Sequence, residues 1–182
     1  MLSSVKERQK VRELAMQVLF AWDAAGKSDN EGARQITHDG SDNPVVRQMA
    51  VDLARGTWEQ REMIDQRVER FAPKWPPRRQ PAVDRNLLRM AVYELTNTQT
   101  PPEVLIDATL AIAKVFSTSS SSAFINGVLD AIVKEHKALL AGLPAPVPPV
   151  VADDAPSLAD ADAHGPEQVP DSADAPAEER PD

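Results

Sequence analysis

The sequence contains no cysteine. That excludes a disulfide-stapled scaffold and any thiolate-held metal. Its apolar residues never run for the ~20 positions that a membrane-crossing helix needs, and the charged N-terminus lacks the apolar stretch of a signal peptide. A soluble, cytoplasmic chain with no membrane partner is expected. Three histidines, His38, His136 and His164, lie far apart in unlike contexts, with His136 expected to be partly covered. No zinc-protease helix motif, glycine-rich phosphate loop or nucleophile elbow occurs. The chain is therefore read as a non-enzyme, with no catalytic residue, metal or cofactor. Sustained strand alternation is missing too, which leaves an all-α bundle.

Charge is divided unevenly along the 182 residues. From Ala141 to Asp182 there are ten acidic residues against a single Arg180, together with nine of the sixteen prolines. Residues 1–140 carry 19 basic and 18 acidic residues, so the net charge of −8 belongs to the C-terminal stretch. Such a stretch buries too little apolar surface to offset its ordering entropy. Residues 1–140 are expected to form one domain, and 141–182 a disordered Pro/Asp-rich acidic tail that folding does not need. A solubilising tail is the plain reading; an acidic decoy for a basic surface is the alternative.

Helical periodicity carries the rest. The longest stripe follows four serines: Phe124, Ile125, Val128, Leu129, Ile132, Val133, His136, Leu139 and Leu140 recur at i, i+4 and i+8. It predicts a largely buried helix over 119–140, capped by a serine of the run, with Gly127 allowing a second helix to approach. A first helix from Ser3 or Ser4 to about Ala25 buries Val11, Leu14, Ala15, Val18, Leu19 and Trp22. Gly26–Asn43 reads as a loop with one short helix. One long helix is expected from Pro44 to Phe71, with a weak point at Gly56-Thr57. After a proline-punctuated link come helices over 82–97, with Val83, Leu87, Met90, Ala91 and Leu95 inward, and from Pro101-Pro102 to Phe116, with Leu105, Ala108, Ile112 and Val115 inward.

Lys6, Arg8, Lys10 and Arg12 crowd the start of the first helix, with Glu7 the one acid among them. Cations there oppose the helix dipole, so local helix physics does not ask for them. An anionic partner does. Four phosphate contacts on a single strand would add about −3 to the log–log salt slope of binding.

Four blocks, RELAMQVLFAW (12–22), VDRNLLRMAVYEL (83–95), PPEVLIDATLAIAKVF (101–116) and FINGVLDAI (124–132), together resemble the NusB family of bacterial transcription antitermination factors. The resemblance implies two small helical subdomains. It also implies a function: binding boxA-type single-stranded RNA together with NusE, a small-subunit ribosomal protein, so that the RNA polymerase antitermination complex reads through terminators in ribosomal RNA operons. Carried over by position, RNA contacts fall on Lys6, Arg8, Lys10 and Arg12, on the aromatics Phe20, Phe116 and Phe124, and on Ser120 in the serine run. Partner contacts fall on Asp84, Arg85, Tyr93 and Glu94, with the Asp84 side chain expected to point away from the apolar stripe. Family members carry charged and imidazole groups where this chain has Ser117–Ala123, a departure that bears on the RNA contact. A helical adaptor that keeps the protein contact and has lost RNA affinity is the competing reading. The RNA-binding module of an rRNA methyltransferase is a third, which the missing catalytic domain disfavours.

Overall fold

The computed structural model describes residues 4–144. Seven α-helices follow one another: α1 (Val5–Ala25), α2 (Asn30–Gly40), α3 (Pro44–Glu59), α4 (Arg61–Phe71), α5 (Ala82–Asn97), α6 (Pro102–Phe116) and α7 (Ser119–Leu140), with a single 3₁₀ turn at Pro77–Arg79. No strand occurs among the described residues. Of the expected tail, everything after Pro144 lies outside them.

Each helix start has a local cause. A capping box opens α1: the Glu7 amide donates to Ser4 Oγ at 3.1 Å, and the Ser4 amide donates to Glu7 Oε2 at 3.1 Å. Asp29 caps α2 and Asn43 caps α3, where Pro44 takes the first turn. The cap of α7 is Thr118, whose hydroxyl accepts from the Ser121 amide, rather than a member of the serine run. Gly26, at φ 68°, ends α1 in the left-handed region that favours glycine.

Helices α1, α2 and α3 pack on one another, and α4, α6 and α7 gather around α5, which also reaches α1 and α3. Most of the core is continuous across this junction, built from residues such as Leu19, Trp22, Phe71, Leu88, Ile112, Ile125 and Leu129. Trp22 meets Trp58 edge-on with ring centroids 5.9 Å apart.

The expected long helix over 44–71 is two helices. The chain runs as helix through Gly56 and Thr57 and breaks at Gln60, where φ −96° and ψ 3° leave the helical region. Arg61 Nη1 then donates to the Trp58 carbonyl at 2.9 Å. Gly56 is there for a different reason: a Cβ would fall 2.1 Å from the Tyr93 hydroxyl, so the glycine lets α3 close on α5. Val115, expected inward, is exposed, and so are Leu139 and Leu140, because the buried stripe of α7 stops near Glu135.

Candidate nucleic-acid interface

The four cations of α1 differ in exposure. Lys6 and Arg8 are exposed and form no ion pair with any described residue. Lys10 is half-buried and lies 3.6 Å from Glu13. Arg12 is different, only 6% exposed. Its Nε and Nη2 donate to Glu94 Oε1 and Oε2 at 2.8 and 2.7 Å, a two-pronged bond inside the protein. Arg12 sits beside the stripe residues Val11 and Ala15, and Glu94 beside Ala91 and Leu95. Both are carried into the α1–α5 seam, where they neutralise each other. Expecting Arg12 to be free for RNA and Glu94 free for a protein partner is therefore corrected.

Asp84 is corrected as well. Its carboxylate does not point to solvent but is fully buried in the first turn of α5. The Ser117 hydroxyl donates to its Oδ1, and Ser117 is bonded in turn to Ser121 at 2.9 Å. Asp84 Oδ2 and Ser122 Oγ are buried without a hydrogen-bond partner. The uncharged segment before α7 thus lies over a buried carboxylate. Burial pushes the Asp84 carboxyl up, against the opposing bonds from Ser117 and Ser121. A raised folded pKa means that the native state holds more protons than the unfolded chain above pH ~4, so stability falls as pH rises through that interval. Asp84→Asn should remove this slope and leave the protein at neutral pH as stable or more so, by up to about 1 kcal/mol. Thermal melts from pH 4 to 8 check it; a clear loss of stability at pH 7 would contradict the buried, unpaired charge.

Arg85 is occupied too. It is bonded to Asp23, and its Nη1 donates to the Pro77 and Gln80 carbonyls at 3.0 Å. Tyr93 is half-buried against Gly56. Phe124 is core, 5% exposed. Phe20 and Phe116 remain exposed, and the half-buried Ser120 hydroxyl is hydrogen-bonded to Thr118 at 3.0 Å.

The contacts distinguish two ends of the α1–α5 pair. Asp23, one turn beyond Phe20, grips Arg85 in the first turn of α5 and Arg89 one turn on, and Ser117, next to Phe116, bonds Asp84 in that first turn. Phe20 and Phe116 therefore share that end. Arg12 pairs with Glu94 near the other end of α5, which places Lys6 and Arg8 opposite. The 14 residues from Lys6 to Phe20 span about 21 Å of helix. At the basic end a groove of about 850 Å³ opens between α1 and the start of α6, lined by Lys6, Arg8, Gln9, Pro101, Val104 and Ala108 among others. Gln9 Nε2 donates across it to the Ala108 carbonyl at 3.1 Å. The helix starts at Val5 and Pro102 add the positive ends of two dipoles, and α6 has no side-chain cap. The site suits an anionic, partly apolar ligand.

A family model described as the NusB family matches residues 9–134. The chain belongs to the NusB family. The match starts at Gln9, just after Lys6 and Arg8. The chain is 44% identical over 131 residues to the transcription antitermination protein NusB of Solibacter usitatus, covering 70% of this chain and 89% of that protein. It resembles the solved NusB of T. maritima at 33% identity with TM-score 0.62, covering 74% of this chain and 94% of that one. A solved complex of the antitermination factors NusB and NusE with double-stranded RNA matches at 27% identity and TM-score 0.64, covering 72% of this chain and 98% of that one. Among the described residues no helix is long and apolar enough to cross a membrane.

The sequence reading missed the ionic cluster that holds this NusB-family fold together. Arg89 is 6% exposed and bridges α1 and α4, donating to Asp65 at 2.8 and 2.6 Å and to Asp23 at 2.8 Å. Arg89 lies one residue from Met90 on the apolar face of α5, and Asp65 one from the buried Ile64. Charges flanking a buried stripe on three helices were the available signal.

Proposed function

We propose that this chain is a transcription antitermination factor. It binds boxA-type single-stranded RNA together with NusE and acts with RNA polymerase in the cytoplasm to promote read-through in ribosomal RNA operons. The observation that carries the reading is the pair Lys6 and Arg8, exposed and unpaired in the lining of a groove that takes in the starts of two helices. Lys6 and Arg8 contact phosphates, and Lys10 joins them by leaving Glu13. Phe20 and Phe116 stack on bases at the far end of the α1–α5 pair, with the Ser120 hydroxyl beside them. Arg12 and Phe124 serve by holding α1 and α7 in place. The NusE contact is supported by family membership and by the solved relative that contains both proteins. Of the four partner residues, Tyr93 keeps part of its surface at the α3–α5 seam, whereas Asp84 and Glu94 support the fold.

The test is a titration of the protein with labelled single-stranded boxA-type RNA, a scrambled strand and the corresponding duplex, each with and without NusE. Preferential binding of the boxA strand, tightened by NusE, is expected. Binding to NusE with no RNA affinity in any form would instead establish the adaptor reading, which the inward-turned Ser117 and Ser121 favour at that end.

A further inference from the structure

The C-terminal part of α7 approaches the start of α6, one wall of the basic groove. Lys137, near the end of α7, donates to Glu103 Oε1 at 2.8 Å, and Glu103 precedes Val104, which lines the groove with Lys6 and Arg8. Residues 145–182 follow Lys137 in sequence after seven intervening positions. They open with Val147, Val150 and Val151 among prolines and then carry all ten acidic residues, beginning at Asp153 and Asp154. At up to ~3.3 Å per residue, the nine residues from Pro144 to Asp153 span as much as ~30 Å. The groove offers a partner for each kind of residue. Val104 and Val5 are exposed apolar members of its lining, 53% and 79% exposed, and the unpaired Lys6 and Arg8 line it with them. Asp107 is the one acid of the lining, and Arg12 is already neutralised by Glu94.

We propose that residues 145–182 occupy this groove in the free protein, the valines against Val104 and Val5 and the carboxylates on Lys6 and Arg8, and that RNA must displace them. The tethered acidic segment is then a built-in competitor, present at the high effective concentration of an intramolecular ligand. It raises the threshold for weak, non-specific RNA while a strand held by additional contacts still binds. The competition rests on the RNA reading of the groove; the docking does not.

Two measurements on the full chain separate these. A carbodiimide joins a lysine amine to a touching carboxylate without a spacer. In wild-type protein at low salt, mapped by mass spectrometry, Lys6 is expected to couple to acids between Asp153 and Asp182, and the link should vanish in 0.5 M salt. Absence of the link, or coupling spread evenly over distant lysines such as Lys27 and Lys114, overturns the docking. The second measurement replaces all ten acids of the segment by their amides and compares RNA binding. Affinity should rise several-fold at low salt, with the gain fading at high salt. Unchanged affinity in the presence of the Lys6 link would overturn the competition. Should neither form bind RNA, the RNA reading fails, and the Lys6 link alone still decides whether the segment sits in the groove.

Discussion

Arg12→Ala is expected to lower stability by about 3–5 kcal/mol, because it strands the Glu94 carboxylate in a seam that excludes water. Glu94 is 5% exposed, and both of its oxygens accept from the guanidinium. In a domain of this size the loss corresponds to a melting temperature lower by roughly 10 °C or more. The control separates a stranded charge from a lost attraction. Arg12→Met with Glu94→Leu fills similar volume without charge and should recover most of the stability. A melting temperature within 2 °C or so of wild type for Arg12→Ala would mean that the pair is solvated, and Arg12 would return to the set of RNA-facing cations.

Arg89→Ala should have an effect of the same order, about 3 kcal/mol, at the low end because Asp65 keeps some contact with water and Asp23 keeps Arg85. Its signature lies in the acid limb. Burial pushes the Asp23 carboxyl up, but the bonds and charges of Arg85 and Arg89 outweigh it and hold the pKa below the ordinary 3.8. A lowered folded pKa gives stability that is present above pH ~4 and lost as pH falls through the folded value. Arg89→Ala removes part of that depression, so its melting temperature should fall less steeply than wild type below pH 4. Parallel acid limbs would show that Asp23 does not depend on Arg89.

Periodicity was enough to place α1, α5, α6 and α7, since each has an apolar stripe long enough to fix its phase. The α3–α4 break was hidden because Gln60 is chemically ordinary, whereas the conspicuous Gly56 answers to Tyr93 on another helix. The same limit applied to charge. A count of cations in α1 cannot tell which of them the bundle absorbs; Arg8 and Arg12, four residues apart, share one side of the helix, and only the position of Glu94 on α5 makes the inner one tenable. Asp84 misled in the same way. A carboxylate in a first turn satisfies the helix dipole whether it faces water or Ser117, and only tertiary packing of the α6–α7 connection distinguishes the two.

The most direct measurement is the salt dependence of boxA-type RNA binding by the wild type and by a Lys6/Arg8/Lys10→Ala variant. With three phosphate contacts on a single strand, the variant's log–log slope should be shallower by about 2, so that a fourfold rise in salt costs it roughly twenty-fold less affinity than it costs the wild type. An unchanged slope would contradict the account, because the exposed cations of α1 would then carry none of the RNA contact.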